Sequence, residues 1–452
     1  AARLGAGATP SRLDLATLTG RITGGGVTGS YAGGAARIGA VPLLLSEAAG
    51  EWRLVGGALT LGGNVIVSDA AAEPRFNPLA SRDVRLSLAN GLVRATGTLT
   101  GPVSGVKAAD VAIRHRLSDT SGVADVSVPG ITFGERLQPT ALTRLTLGVI
   151  AEVKGTISGV GQIRWNQGVV SSDGDFRTDG VDLAAAFGPV TGLKGQIHFT
   201  DLLALESAPG QIATVATINP GVAIADGTIR YRLLAGPMVQ VEDARWPFSG
   251  GELRLEPTLL DYSREVDKRM TFRVTGLDAG KFLQGFDYKN LDATGVFDGT
   301  LPMVFDATGG RITDGRLVAR SGGTLAYVGE VSEENLGFWG NLAFGALRSL
   351  RYRSLELKLY GPLAGNVVTE ARFGGVAQGQ GAKSNFLIRR LARLPFVFNI
   401  KITAPFRALI DSARSFYDPT ILIQRNLPAL LEQADRPVQP PASVPVPQEK
   451  PD

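Results

Sequence analysis

The sequence predicts an all-β protein, mostly antiparallel, with a few helices near the C-terminus. Three observations carry that prediction: apolar and polar residues alternate along many short segments, glycine is in large surplus, and helical periodicity is mostly confined to the last quarter. Of 452 residues, 58 are Gly and 25 are Pro. Average usage would give about 32 glycines. With 44% apolar and 19% charged residues, the chain is too hydrophobic to be disordered.

Alternation with a period of two is the strongest local pattern, and it places every second side chain on the same face of a strand. Polar residues such as Arg85, Arg230 and Lys358 separate the apolar ones. One apolar and one wet face are typical of antiparallel sheets rather than of buried parallel sheets. The clearest apolar sets, in chain order, are Leu86 and Leu88; Ile197 and Phe199; Ile229, Tyr231 and Leu233; Leu253 and Leu255; Met270, Phe272 and Val274; Leu355, Leu357 and Leu359; and Phe396, Phe398, Ile400 and Ile402.

Glycine residues lie between these segments. Asp-Gly and Gly-Gly pairs favour tight hairpins because the primed turns need positive φ. The spacing of the pairs is irregular, which disfavours a consensus solenoid or propeller and favours a long meander of hairpins. The pairs predicted as turns ahead of a strand are Gly56-Gly57, Asp226-Gly227, Gly250-Gly251, Asp314-Gly315 and Gly322-Gly323.

Two helices are predicted near the C-terminus. Ser332 can cap a helix whose first turn holds Glu333 and Glu334, where negative charge suits the helix dipole. A clearer amphipathic pattern runs from Pro405 to Asp418. Its apolar stripe either packs on the protein's own sheet, the more common arrangement, or faces a membrane or partner. The candidate membrane-facing or partner-facing residues are Phe406, Leu409, Ile410 and Phe416.

The formal charge of +4 hides an uneven distribution. Residues 345–425 contain thirteen Lys or Arg against four Asp or Glu, while the rest of the chain contains 33 basic and 38 acidic residues. A basic end suits anionic lipid headgroups, nucleic acid or an acidic partner, and a basic solvated surface is an equally good interpretation.

No segment approaches the roughly 20 apolar residues of a bilayer span, so the chain as given is expected to be soluble.

The sequence lacks the patterns of catalytic or metal chemistry. Without Cys there is no disulfide, thiolate nucleophile or Cys-ligated metal, and two histidines cannot form a three-His zinc site. Gly24, Gly26 and Gly29 have the spacing of a dinucleotide-binding motif, but no helical pattern follows them. His115 and His198 lie in alternating segments and are predicted to face solvent on the polar face. We therefore predict no enzyme, no cofactor and no metal.

Short Gly- and Pro-containing motifs follow one another after residue 190. They are Gly192-Leu193-Lys194-Gly195-Gln196-Ile197, Pro209-Gly210-Gln211-Ile212, Ile218-Asn219-Pro220-Gly221-Val222, Ala244-Arg245-Trp246-Pro247-Phe248-Ser249-Gly250-Gly251, Gly299-Thr300-Leu301-Pro302-Met303 and Ser321-Gly322-Gly323-Thr324-Leu325-Ala326-Tyr327. In this order they resemble the YdbH family of bacterial envelope proteins, which belongs with the AsmA-like and TamB-like proteins and was once labelled a dicarboxylate-transport domain. The resemblance is recognised from about residue 190 to residue 425.

The resemblance implies an elongated repeating β-groove, a curled sheet that is apolar inside and polar outside. It implies a periplasmic bridge that is anchored in the inner membrane by an N-terminal helix and moves phospholipid towards the outer membrane of a Gram-negative envelope. Because no anchor helix is found, this chain is expected to be the C-terminal, outer-membrane-proximal part, either a fragment or a processed form. The resemblance further implies a small outer-membrane lipoprotein that adds a strand to the C-terminal sheet edge, and no nucleic-acid partner.

On this basis the chain is divided into a repeating β-groove over residues 1–330, a C-terminal end of the groove with amphipathic helices over 331–435, and a disordered Pro-rich tail over 436–452. The apolar sets given above are the candidate residues lining the groove. Buried acyl chains would gain about 0.8 kcal/mol per CH₂, and headgroups left in water would need no recognition chemistry.

Other functions remain open from the sequence. The chain could assist the assembly of outer-membrane β-barrel proteins by templating strands, as its TamB-like relatives suggest. It could also be a closed sandwich, or an adhesive β-protein, in which the apolar residues fill a core. Dicarboxylate transport is the least attractive option, because no Arg cluster with defined spacing forms a carboxylate clamp.

Overall fold

The computed structural model describes residues 2–4, 11–38, 43–185, 188–219, 223–264, 266–285, 291–306, 309–327, 350–363, 366–378 and 398–405. In these residues the chain forms one large sheet and one small four-stranded sheet, and every strand pairing is antiparallel. The prediction of an all-β, antiparallel fold is confirmed. Among the described residues the first strands and the last strand of the large sheet do not pair with each other, so the sheet stays open.

The N-terminal half of the large sheet is built from long strands joined by short loops. They are β1 (Ala2–Leu4), β2 (Ser11–Asp14), β3 (Thr17–Leu18), β4 (Arg21–Thr23), β5 (Gly26–Ile38), β6 (Leu43–Val55), β7 (Ala58–Asp69), β8 (Leu79–Ala89), β9 (Leu92–Thr100), β10 (Lys107–Arg116), β11 (Gly122–Phe133), β12 (Ile150–Asn166) and β13 (Val169–Ala185).

The C-terminal half continues the same sheet and adds the small one. The remaining strands are β14 (Gly188–Asp201), β15 (Glu206–Ser207), β16 (Gln211–Ile218), β17 (Ile224–Leu234), β18 (Met238–Phe248), β19 (Gly251–Leu255), β20 (Thr258–Asp261), β21 (Lys268–Asp278), β22 (Leu291–Thr294), β23 (Val296–Asp306), β24 (Gly309–Ala319), β25 (Gly323–Tyr327), β26 (Leu350–Tyr352), β27 (Ser354–Pro362), β28 (Asn366–Gly374), β29 (Ala377–Gln378) and β30 (Phe398–Pro405).

The large sheet is a meander in which most strands pair with the next long strand along the chain. Strands β5 to β14 pair in unbroken succession. The series then passes through β16, β17 and β18 to the short β19 and β20, and on through β21, β23, β24, β27 and β28 to β30. The two short β3 and β4 lie one after the other against β5.

A band of register shifts crosses the sheet near the middle of its strands. Such shifts occur in β5–β6, β6–β7, β7–β8, β12–β13, β13–β14 and β21–β23. Gly192 (φ +61°) and Gly276 (φ +71°) occupy left-handed conformations at two of them, which a residue with a Cβ adopts at a cost. Because a bulge bends its strand and increases the local twist, the band curls the whole sheet.

Two of the predicted turns are wrong. Asp226-Gly227 lies inside β17 and Asp314-Gly315 inside β24, because the glycine makes room for a neighbouring strand or ring instead of reversing the chain. A Cβ on Gly227 would lie 2.1 Å from Trp246 Nε1, and one on Gly315 would lie 3.0 Å from Leu301 Cδ2. Gly56-Gly57 and Gly250-Gly251 do connect strands as predicted.

The small sheet is a continuation of the large one. Strands β22, β25, β26 and β29 pair in that order and are direct extensions of β23, β24, β27 and β28, which pair in the same order. The chain bends at Gly295 between β22 and β23 and at Gly375 between β28 and β29. Four adjacent strands therefore turn the same corner.

Helices are few, and the described ones lie earlier than predicted. Residues Pro139–Ala141 and Arg144–Thr146 form 3-10 turns, and α1 (Ala279–Gly285) begins where Asp278 Oδ1 accepts a hydrogen bond from the Lys281 amide at 2.9 Å. Pro405 ends β30 and does not begin a helix. The helices predicted after Ser332 and over residues 406–418 lie outside the described residues, as does the Pro-rich tail.

Candidate functional site

The apolar face of the sheet is continuous from strand to strand in its N-terminal part. We call residues 26–185, which contain β5 to β13, the N-terminal region. Paired residues of adjacent antiparallel strands point to the same face, so successive pairings define a row across nine strands. This row contains Gly29, Trp52, Leu61, Leu86, Ala95, Ile113, Ala124, Ile163 and Ser172.

An equivalent row crosses the C-terminal part. We call residues 188–374, which contain β14 to β28, the C-terminal region. The row contains Trp246, Leu253, Val274, Gly299, Leu317, Leu357 and Ala371. The strand pairing continues it by one position, because Ala371 pairs with Ile400 of β30.

The opposite face carries the charges. One of its rows contains Arg245, Arg254, Arg273, Thr300, Arg316, Lys358 and Glu370. Like charges directly opposite each other repel, and acidic side chains lie between them: Asp243 accepts from Arg245 Nε at 2.7 Å and from Arg254 Nε at 2.6 Å. Burial raises the pKa of Asp243, but the two guanidinium groups outweigh burial and hold that pKa below its usual range. This face is therefore a solvent-facing surface of charged residues on which acidic side chains pair with basic ones.

The apolar faces of the two regions differ in exposure. In the N-terminal row Trp52, Leu61, Leu86, Ile113 and Ile163 are half-buried. In the C-terminal region Trp246 is 2% exposed, Val274 1% and Phe373 1%. The first face is partly open, whereas the second is packed within the chain.

Two additions cover the C-terminal apolar face. Phe282 of α1 packs edge-on against Phe248 with ring centroids 6.0 Å apart. Tyr352 of the small sheet packs against Phe373 with centroids 6.0 Å apart, and its hydroxyl donates to Thr294 O at 2.8 Å. Tyr352 is buried, and burial raises the pKa of its hydroxyl to about 12. The corner turned by four strands thus folds part of the sheet onto its own apolar face.

Three tryptophans share one arrangement on the apolar face. Each indole lies across a glycine of the preceding strand: Trp52 across Gly29, Trp165 across Gly122, and Trp246 across Gly227. A Cβ on these glycines would lie 2.8 Å, 2.3 Å and 2.1 Å, respectively, from the nearest ring atom. Only the glycine leaves room for the ring.

The three indoles differ in the acceptor that they find. Trp52 Nε1 donates to Thr19 O at 2.9 Å and Trp165 Nε1 donates to His115 Nδ1 at 3.1 Å. Trp246 Nε1 is buried without an acceptor among the described residues, and the strand beyond Gly227 offers Val215 there. Among the described residues, the two indoles of the N-terminal region therefore find acceptors, whereas the indole of the C-terminal region does not.

Two long loops join at one rim of the N-terminal region, and we call them the rim strap (residues 70–78 and 134–149). Asn77 donates from its amide to Leu142 O at 2.8 Å and from Nδ2 to Thr140 O at 2.9 Å. Asp69 has no exposed side-chain surface and accepts from Arg75 Nε at 2.7 Å. Burial raises the pKa of Asp69, but the hydrogen bonds and charge of Arg75 outweigh burial and lower it. Beneath the strap a small core holds Phe133, Leu137, Val153 and Val181.

The structure distributes the sequence-predicted groove residues between the two environments. Leu86, Leu88, Ile197, Ile229, Tyr231, Leu233, Leu357 and Leu359 are half-buried. Phe199, Leu253, Leu255, Met270, Phe272, Val274 and Leu355 are buried. In β30, the positions of Phe398, Ile400 and Ile402 pair with Phe373, Ala371 and Thr369, while Phe396, Phe406, Leu409, Ile410 and Phe416 lie outside the described residues.

The prediction for one histidine is wrong. His115 pairs with Val93 and Gly122 and contacts Trp165, so it lies on the apolar face. The sequence contained the evidence, because Ile113 and His115 are two residues apart and must share a face. His198 lies on the polar face as predicted, with Nδ1 3.0 Å from Asp175 Oδ1.

Sequence analysis missed the glycine–tryptophan pairs, the rim strap and the folded corner. Each depends on which strand lies opposite which, and no local pattern carries that information. Among the described residues, no helix combines the length and apolar character needed to cross a membrane. The same residues include no group of three or more His, Asp or Glu placed to hold a metal ion.

Comparison with known proteins identifies a family. A protein-family model, described as YdbH-like, Intermembrane phospholipid transport protein YdbH, matches residues 1–428. The match covers nearly the whole chain, whereas the motifs supported a resemblance only from about residue 190. The description names transport and no reaction. No curated protein and no solved structure matches the chain significantly.

Proposed function

The chain belongs to the YdbH-like family of intermembrane phospholipid transport proteins, and on this basis we propose that its sheet is a bridge for phospholipids in the periplasm of a Gram-negative envelope. Acyl chains lie on the apolar face of the curled sheet, and headgroups remain in water. The lipid moves between the inner and the outer membrane along the rows of apolar residues, across the strands.

The half-exposed apolar row of the N-terminal region carries this proposal. It crosses nine strands without a charged side chain, so an acyl chain finds similar contacts at each strand. Covering such a face stabilises the complex by about 25 cal/mol per Å² of apolar surface removed from water. A monomeric soluble protein rarely leaves a continuous apolar surface without a ligand or partner.

The apolar face continues into the C-terminal region through pairs such as Phe176–Ile197 and Ala213–Ile229, but it is covered there. Leu253, Phe272 and Val274 form its floor beneath α1 and the small sheet. We assign the residues predicted to line the groove to the lipid path formed by both regions. Passage of lipid through the C-terminal region requires its cover to move aside. Lipid then binds directly to the half-exposed N-terminal face, whereas it reaches the covered C-terminal face only after the cover has moved.

Two attachments complete the proposed bridge. Strand β30 pairs with β28 on one side, and no described strand pairs with its other side. An open edge accepts an added strand, and we assign it to a small outer-membrane lipoprotein. At the other membrane, we assign the attachment to an N-terminal anchor helix in the inner membrane.

A matched pair of variants tests the proposal. Leu86→Asp places a carboxylate on the apolar face, whereas Ser87→Asp places the same charge one residue away on the polar face, opposite Thr60 and Arg94. We expect uptake of a fluorescent phospholipid to fall at least tenfold in Leu86→Asp and to stay near wild type in Ser87→Asp. Mass spectrometry of gently purified wild-type protein should detect co-purified phospholipid. Lipid-free protein that also takes up no fluorescent lipid would overturn the proposal.

The open edge of β30 also supports a second candidate, templating of outer-membrane β-barrel proteins. Site-specific photo-crosslinking separates the two functions. Crosslinkers at Leu86 or Ile113 should trap lipid if the sheet is a lipid path. A templating role predicts that unfolded barrel protein is trapped by a crosslinker at Asn399 of β30 and that no lipid is trapped on the apolar face.

A further inference from the structure

His115 is the one titratable side chain on its part of the apolar face. It lies one residue before the end of β10, at the hairpin rim of the N-terminal region. Its neighbours on the same face are all apolar or glycine, and most are half-buried. They are Leu86, Leu88, Val93, Ala95, Ile113, Gly122, Ala124, Ile163 and Trp165. The charged neighbours in its strand, Arg114 and Arg116, point to the other face and pair with Asp125 and Asp119.

Trp165 orients this histidine from two strands away. The indole passes over Gly122 and donates from Nε1 to His115 Nδ1 at 3.1 Å, with ring centroids 6.0 Å apart. An indole N–H can only donate, so His115 Nδ1 is the acceptor and carries no proton. The proton of the neutral imidazole is therefore on Nε2, which becomes a donor of fixed direction.

Among the described residues, that donor has no partner. His115 is half-buried and its Nε2 keeps some exposed surface, and this residue lies on the apolar face. A donor covered by an acyl chain alone would lose its hydrogen bond to water without replacement. Whatever covers this row must therefore bring an acceptor oxygen to it.

We infer that His115 Nε2–H binds an acceptor oxygen of a bound phospholipid at the junction of headgroup and acyl chains, so that its row marks the depth of the headgroup. This inference rests on the proposed function. Aromatic side chains with a polar edge are typical of the level where apolar and wet environments meet, and Trp165 lies at that level here. Two residues further from the rim, Ile113 begins the purely apolar part of the path.

The acceptor oxygen can come from the ester carbonyls or from the phosphate of the lipid. The same hydrogen-bond chemistry is available to free inorganic phosphate. The test therefore uses four probes: a diacyl phospholipid, a diether phospholipid without carbonyls, diacylglycerol without phosphate, and inorganic phosphate alone.

Imidazole NMR of the intact chain is the first experiment. The chain contains two histidines, so ¹⁵N-histidine labelling gives two sets of ring signals, and His198→Gln assigns them. We expect the free protein to show His115 protonated on Nε2, and the diacyl phospholipid to shift that Nε2–H signal while the His198 signals stay in place. A shift with the diether lipid and none with diacylglycerol assigns the contact to phosphate, and the reverse assigns it to the carbonyls. A shift with inorganic phosphate alone would overturn the lipid-specific inference.

Affinity measurements provide the second experiment. His115→Leu should weaken binding of the phospholipid about fivefold to tenfold. His115→Gln, whose amide offers both an acceptor to Trp165 and a donor to the lipid, should recover most of that loss. His198→Leu on the polar face is the matched control and should bind as wild type.

These outcomes distinguish failure of the His115 inference from failure of the proposed lipid-bridge function. If wild-type protein takes up fluorescent lipid but the His115 signals do not respond to any lipid, the inference is wrong and the lipid bridge stands. If wild-type protein takes up no lipid, the proposed function itself fails. The NMR result does not depend on the variants, so a His115→Leu protein that fails to fold leaves the inference testable.

Discussion

The N-terminal and C-terminal regions are made from the same pattern and bury it differently. Both alternate apolar and polar residues, and both align their apolar residues in rows across the strands. In the described part of the N-terminal region, the buried apolar side chains are Ala108, Ala109, Ala124, Val128, Phe133, Leu137, Val153, Trp165, Val181 and Ala184, several of them alanines or residues beneath the rim strap. From residue 188 onward a single core includes large side chains such as Trp246, Phe272, Phe297 and Phe373.

This contrast shows that alternation decides which face is apolar, while neighbouring elements decide whether that face is open. In the C-terminal region α1 and the folded corner cover the sheet. Among the described residues, only the rim strap reaches over the apolar face of the N-terminal region, and it covers one end. The open face suits a ligand, whereas the covered face supplies stability.

The strongest effect is expected from truncating one side chain in each region. Phe272→Ala should lower the free energy of opening of the C-terminal strands by about 3–5 kcal/mol, because Phe272 is 4% exposed. Leu86→Ala should cost about 1–2 kcal/mol, since a half-buried leucine loses less contact. Native-state hydrogen exchange reports the two regions separately. Equal losses in the two variants would remove the distinction between an open and a packed face.

The next effect concerns the rim strap. Asp69→Asn should destabilise the N-terminal region by about 2–3 kcal/mol, because it breaks the pair of a fully buried carboxylate with Arg75. The C-terminal strands should be unaffected in the same hydrogen-exchange experiment. Asp119→Asn is the matched control: its carboxylate lies in an exposed hairpin, where hydrogen bonds from Ser121 lower its pKa to about 2.

Acid titration probes the same strap. The pKa of Asp69 is lowered in the folded protein, so its stabilisation is complete above the unfolded value of about 4. That stabilisation disappears as the pH falls through the lowered pKa. Exchange at the strap should therefore accelerate in acid, and Asp69→Asn should flatten this dependence. An unchanged pH profile in the variant would show that other carboxylates control the strap.

Effects of similar size or smaller are expected at the glycines beneath the tryptophans. Gly227→Ala should cost about 2–3 kcal/mol and Gly122→Ala about 1 kcal/mol. Both new methyl groups collide with an indole, but Trp246 is enclosed by the C-terminal core and has less room to shift than Trp165. Gly134→Ala, which meets nothing within 4 Å, should be neutral. Thermal unfolding of the three variants measures the order, and a milder loss at Gly227 than at Gly122 would contradict the assignment of tight packing.

The smallest effect on stability is expected when a tryptophan is replaced by Phe, and it should differ between the hydrogen-bonded indole and the unpaired one. Trp246→Phe removes a buried N–H without an acceptor among the described residues, and this gain offsets lost contacts, so the stability should stay within about 1 kcal/mol of wild type. Trp52→Phe loses the hydrogen bond to Thr19 O and should cost about 1–2 kcal/mol. Urea unfolding of both variants tests the order, and a larger loss for Trp246→Phe would mean that its N–H has an acceptor.

Much of the fold could be predicted from local sequence. The spacing of Leu86 and Leu88, or of Met270, Phe272 and Val274, fixes which residues share a face, because the side-chain period of a strand is two. The same rule places His115 with Ile113 on the apolar face, although the expectation from its polarity was the opposite. The absence of Cys and the scarcity of His exclude, on composition alone, chemistry that needs a thiolate or a three-His metal site.

Glycine shows the limit of that local information. Gly56-Gly57 is a turn, whereas Asp226-Gly227 lies inside a strand beneath Trp246. The two dipeptides look alike in sequence because the feature that separates them is a residue on another strand. The same holds for Gly122, whose missing side chain lets Trp165 reach His115.

The strands, their apolar and charged faces, and the family motifs after residue 190 follow from the amino-acid sequence alone. The tertiary structure was needed to learn which apolar residues are covered, which glycines lie beneath an indole, and where a lone histidine donor is left accessible. The physical reason is that alternation is set by backbone geometry over two residues, whereas burial and hydrogen-bond partners depend on strands that are distant in the chain, as His115 and Trp165 are at a separation of 50 residues.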